Sequence, residues 1–449
     1  MFVSDEYIRV TLHRSEQSLP CGATYGLAGS NITMSLRTRN DPFLVMAGLY
    51  LTVGLLAIVG KLAVDAGFMG GLPRLRWLTV HFVTIGGLTQ ALFGLLPLVG
   101  AVGRTSWSVS PRFRWLQWLS LNAGYPLILV GMATSESTVA VVGATLVLGA
   151  LGGLLVTVFS PGGDGADSGR FFRTAPWYLV VGILAAFGML LNVHGPGGYF
   201  GSIEAHVHAN VWGFLALVVA GVLLVALPEL FGTDLRYPRL GRVTYWGLTV
   251  GAAGLVAGPW LARNELTMAG LGIYVVGTVA LLANVVGTYR TSGRTRPNRL
   301  ALVLGAYLWL IVPVPVAPFV LLFPEAVPAA AIEQSAINGL VFGWMLQLAM
   351  AFLPLAVVAI TDETSNPLGG FAAASEAIGQ PSWWQIGSIN LGMALLWVTA
   401  LPQLAGVSDL LSLTGYGLIA LAWAVFLVEF WAVLTPPATA GPGHDPSLD

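Results

Sequence analysis

From residue 43 to residue 434 the chain alternates long apolar runs with short polar breaks. Each run is about 20 residues long, enough at about 1.5 Å per residue to cross a hydrocarbon core of about 30 Å. The pattern predicts an all-α, polytopic membrane protein of about twelve transmembrane helices. These fall near 43–66, 77–101, 113–133, 138–160, 175–193, 203–230, 240–261, 266–290, 298–324, 332–361, 383–405 and 410–434. Segments 1–42 and 435–449 are polar tails on either side of this membrane domain, and the first lacks the apolar stretch of a secretory signal. A Gly- and Asp-rich turn region fills 161–174, and Pro313, Pro315 and Pro318 predict a kink in the ninth helix.

A short pattern recurs within these runs. At His81 the chain reads HFVTIGGLTQALFGLLP, and at Asn338 it reads NGLVFGWMLQLAMAFLP. Gly86 and Gly343, Gln90 and Gln347, Gly94 and Ala351, and Pro97 and Pro354 fall at shared offsets. A third copy starts at His208, with Gly213 and Gly221 in register but Leu217 and Leu224 in place of Gln and Pro. The spacing of the three copies predicts three pseudo-repeated blocks of four helices. The glycines suit close helix contact, and Gln90, Gln347, Asn122, Asn284 and Asn390 suit hydrogen bonds between helices.

Composition agrees with the membrane reading. Apolar residues make up 56% and charged residues 9%, well under the ~25% of soluble domains. A net charge of −1 gives no footprint for nucleic acid. The single cysteine, Cys21, excludes an internal disulfide and a cysteine metal cluster. Sixteen basic residues fall in the N-terminal tail and alternate loops, against Arg74, Arg76, Arg263 and Lys61 on the other side. The positive-inside rule therefore predicts a cell-membrane protein with both termini cytoplasmic. Trp77, Trp107, Trp177, Trp383 and Trp384 lie near span ends, as an aromatic belt would.

Ionisable groups inside apolar helices are costly, so the histidines are the candidate chemistry. His81 heads the second predicted helix, and the sixth opens IEAHVHAN with Glu204, His206 and His208. His194 lies in the outer loop just before it, while His13 and His444 are in the tails. Glu204 and His208 are four apart and share a helix face; His206 points elsewhere, towards a different neighbour such as the His194 loop. Neutral imidazole ligates copper, zinc and iron. The expected cofactor-binding pair is His81 with His208, and the expected metal set is His194, Glu204, His206 and His208. A plain structural role, hydrogen bonding to a neighbouring helix, stands beside this reading. No chain of buried acids leads to these histidines from the inner side, so the sequence does not support a proton-pumping path.

Twelve spans in three blocks, cytoplasmic termini and histidines near the outer ends of the second and sixth helices resemble subunit I of haem–copper oxidases. The run HVHANVWGFLALVVAGVLLVALP from His206 to Pro228 is also similar to the His-x-His helix of NnrS-type proteins, which are linked to nitric oxide stress. The resemblance implies haem b or copper, with zinc a weaker fit, and a redox partner or respiratory subunit besides the lipid bilayer. It implies that His81 matches a haem ligand and that His206 or His208 matches a copper ligand. The chain departs from the oxidase pattern at Asn338, where the tenth helix carries no histidine, and between His208 and His444, where none occurs. A complete oxygen-reducing site is therefore not expected. The alternatives from other classes are a transporter or channel, and a scaffold subunit without cofactor.

Overall fold

A computed structural model describes residues 41–71, 74–100, 110–159, 169–293, 296–361 and 370–435. Nearly all of the two polar tails, including His13 and His444, lies outside the described residues, as do Trp107 and most of the 161–174 region.

The described residues are helical throughout, with no strand among them. The long helices are α1 (Pro42–Asp65), α2 (75–100), α3 (Pro111–Thr134), α4 (Ser137–Phe159), α5 (Gly169–Leu190) and α6 (Gly198–Phe231). They continue with α7 (Leu240–Trp260), α8 (Asn264–Arg290), α9 (Pro297–Ile311), α10 (329–361), α11 (Trp383–Val398) and α12 (Ser408–Leu434). Local signals set their starts. Asp41 accepts from the Phe43 N–H at 2.9 Å ahead of Pro42, and Ser110 accepts from the Phe113 N–H at 3.2 Å ahead of Pro111.

Eight helices among the described residues are long and apolar enough to cross a membrane. The chain is thus a multi-pass membrane protein in a lipid bilayer. Of the remaining four, α9 and α11 are shorter, and α3 and α7 are less apolar along their length. Large apolar side chains such as Leu56, Val156, Val276, Val279, Leu421 and Val428 face outwards, as lipid contact requires.

Two boundaries differ from expectation for one reason. The ninth helix does not kink at its prolines but ends at Ile311, and a separate short helix, Ala317–Leu322, follows. The eleventh ends at Val398 and gives way to a 3-10 turn at Pro402–Val407. Proline removes an N–H and clashes with the preceding turn; Pro313 and Pro315 act so after the ninth helix and Pro402 after the eleventh. A short helix, Phe371–Ile378, was not anticipated; its eight residues are too few for a periodic signal.

The hairpins α3/α4, α7/α8 and α11/α12 pack tightly, while α1, α5 and α9 lie against α2, α6 and α10 respectively. The centre belongs to α6 and α10. Their apolar windows are 72% and 89% buried, against 28–44% for the other six candidate spans.

Candidate functional site

The three motif helices share a local distortion. Immediately after His81, His208 and Asn338, the α-helix widens to a π-helix over Phe82–Thr89, Ala209–Leu215 and Gly339–Leu346. Each returns to α-helix at or next to the motif's Gln or Leu position. A wide turn admits an extra residue and re-aims the side chains that follow, and such turns gather at functional sites.

Packing accounts for the widening. Each π segment carries a glycine pressed by an aromatic residue from the preceding long helix. A methyl group on Gly86 would lie 2.6 Å from Tyr50, one on Gly213 would lie 2.3 Å from Tyr178, and one on Gly343 would lie 2.5 Å from Trp309. Each aromatic then reaches onward. Tyr50 meets the Tyr125 ring edge-on at 5.0 Å, Tyr178 donates to the Thr249 carbonyl at 2.5 Å, and Trp309 donates from Nε1 to Asn390 Oδ1 at 2.8 Å. The hairpins match as well. Gly124 with Gly143, Gly254 with Gly270, and Gly392 with Gly415 leave no room for a side chain on either partner.

Two of the candidate imidazoles, on α2 and α6, are each held by a backbone carbonyl. His81 Nδ1 lies 2.8 Å from the Trp77 carbonyl, with its ring tilted by 32° against the indole at 4.0 Å. His206 Nδ1 lies 2.8 Å from the Gly182 carbonyl on α5. A carbonyl only accepts, so both rings carry the proton on Nδ1 and leave the Nε2 lone pair available. Gly182 makes the second contact feasible, because Asn210 fills the space where its side chain would be and donates to the His206 carbonyl at 2.8 Å. The two imidazoles, from α2 and α6, are close enough to interact electrostatically.

The other expected ligands are elsewhere. His208 lies against Leu255 of α7, and its Nδ1 is buried without a partner. His194 bonds through Nε2 to Asn192 Oδ1 at 3.0 Å and through Nδ1 to Ser202 Oγ at 3.5 Å. Glu204 is exposed, with Glu333 of α10 as its charged neighbour. Among the described residues no group of three or more His, Cys, Asp or Glu is placed to hold a metal ion. Asn338, at the head of the third motif helix, accepts from the Tyr416 hydroxyl at 3.3 Å.

Inward of the histidines, α2, α6 and α10 line an apolar pocket of about 130 Å³. Its walls repeat. Leu88, Leu215 and Met345 stand seven residues after the three motif heads, and Leu92, Val219 and Ala349 stand eleven after. The positions ten, fourteen and fifteen residues after each head also line it in all three helices. This spacing is one helix face. Sequence reasoning missed the cavity because these helices are apolar all round; only the three-way alignment of offsets carried the signal.

No protein-family model matches the chain, and no curated protein matches it.

Proposed function

We propose that the chain is a divergent relative of the haem–copper oxidase fold and binds one redox-active metal centre, a haem b iron or a copper ion, between His81 and His206. The carrying observation is the pair of imidazoles from α2 and α6, each held at Nδ1 by a backbone carbonyl with Nε2 free. That second-sphere arrangement fixes the tautomer and the ring orientation, as ligating histidines require. Two imidazoles would hold a haem iron or a copper ion, and they fall short of the four ligands of structural zinc. When bound, such a centre supplies one-electron chemistry. The chain's own part is to hold two neutral imidazoles with Nε2 available. Electron transfer or nitric oxide handling fits this set; oxygen reduction through a three-histidine copper site does not.

The finer architecture belongs to the same proposal: twelve spans in three four-helix blocks, with both termini cytoplasmic. It is supported by the three π segments, the three glycine–aromatic contacts, the three glycine pairs of the hairpins and the shared cavity offsets. The test is the visible spectrum and metal content of protein purified from haem- and copper-replete cells. The expected result is a bound centre that His81→Ala and His206→Ala each remove and that His208→Ala and His194→Ala retain. Colourless, metal-free wild-type protein overturns the reading in favour of a transporter or a scaffold.

A further inference from the structure

The cavity between α2, α6 and α10 does not touch His81 or His206, so the metal reading leaves it without a role. Its walls are Leu, Val, Ala, Met, Phe and Trp, with no charged residue among them. Such a space stays dry, because water there would find no partners. Left unfilled, such a pocket forfeits dispersion contacts along its walls. Its shape is also informative. The lining of α10 runs from Trp344 to Ala356, a span of about 18 Å at 1.5 Å per residue. That length suits an extended hydrocarbon chain rather than a compact solute.

One end of this chamber is closed by a separate piece. The short helix Phe371–Ile378 packs on α6 and α10 and contributes the buried Phe371 to the cavity wall. It is tethered by Arg296, from the loop between α8 and α9. The Arg296 guanidinium donates from Nη1 to Ser375 Oγ at 2.5 Å and from Nε to the Leu230 carbonyl at 3.2 Å. Nη2 stands 3.6 Å from Glu376, whose side chain is 64% exposed. An ion pair this exposed contributes little. The helix is thus held by an apolar face towards the chamber and by one arginine at its rim.

We infer that this chamber is a binding site for the acyl chain of a membrane lipid, and that the Phe371–Ile378 helix is its cap. The chain lies along the matched faces of the three motif helices, with its terminal part beneath Phe371. The inference is independent of the metal proposal, since the label that tests it does not report on haem or copper.

The probe is phosphatidylcholine carrying a diazirine on one acyl chain, in vesicles with the full-length protein. Illumination is followed by peptide mapping. The expected label falls on lining segments of α2, α6 and α10, including Leu92, Val219 and Ala349. It is lost in Ala349→Trp and in Ala91→Leu, and unchanged in the lipid-facing control Val279→Trp. Arg296→Ala speeds its appearance. Two fillings at different helices guard against one variant failing to fold, and size-exclusion profiles show which variants are intact. Label confined to lipid-facing peptides such as those bearing Val276 and Leu421, with the lining segments clean, overturns the inference. So does lining label that both fillings leave in place in folded protein.

Discussion

Gly213 lies so close beneath Tyr178 that a methyl group on it would come within 2.3 Å of the tyrosine ring. The contact sits inside the π segment of α6, and the tyrosine is also anchored to α7 through the Thr249 carbonyl. Gly213→Ala is therefore expected to destabilise the protein by about 1–3 kcal/mol, the usual cost of overpacking. Gly152→Ala is the control. No other atom lies within 4 Å of a side chain there, so the change is expected to be neutral or to stabilise α4 by up to about 1 kcal/mol. Thermal unfolding in detergent measures both, and equal effects would contradict the packing account.

Asp41 and Arg114 form a buried ion pair at 3.1 Å that ties the start of α1 to α3. Arg114 also donates to the carbonyls of Phe93 at 2.8 Å and Gly94 at 3.2 Å, and stacks on the Phe43 ring. Arg299 plays the corresponding part at the other end of the chain, donating to the carbonyls of Ala351 and Gly379. Asp41→Ala leaves the guanidinium buried without its counter-charge, and a loss of about 3–5 kcal/mol is expected. The double change Asp41→Leu with Arg114→Met recovers most of that loss, because neither buried charge then remains. Chemical denaturation of the three proteins checks the order.

Gln347 and Asn390 hydrogen-bond across α10 and α11, from Asn390 Nδ2 to Gln347 Oε1 at 3.1 Å. A double-mutant cycle with leucine at each position is expected to give a coupling of about 0.6 kcal/mol, typical of such bonds in membranes. Gln90 has the same place in the motif, yet its Nε2 is buried without a partner. Gln90→Leu removes an unpaired polar group, so it is expected to be neutral or stabilising. A loss at Gln90 as large as that at Gln347 would mean that the two glutamines do equivalent work.

Topology has its own test. In a Cys21→Ser background, a cysteine introduced by Asn192→Cys, between α5 and α6, is expected to react with a membrane-impermeant maleimide in intact cells. One introduced by Asp234→Cys, between α6 and α7, is expected to react only after the membrane is opened. Both positions are exposed. The reverse pattern would invert the assignment drawn from the basic loops.

Much of the helical outline was legible in the sequence because bilayer thickness sets run length and apolar runs show it directly. The motif offsets were legible too, and the same residues carry the π segments and the tight glycine contacts. What was not legible was the direction of each imidazole. His206 and His208 are two residues apart, so they lie about 200° apart around a regular helix. Choosing between them needs the positions of α5 and α7. Gly182 on α5 admits His206, and Leu255 on α7 receives His208.

By itself the sequence determined that the chain is a bundle of apolar helices and that three of them carry one pattern, because hydropathy and spacing are local properties. The tertiary structure alone decided that His206 is held by the Gly182 carbonyl of α5 while His208 lies against Leu255 of α7. It also decided that the three patterned helices stand around an apolar chamber. Helices apolar on every face look alike to water and to lipid, so only the fit of side chains against neighbouring helices selects which face turns inwards.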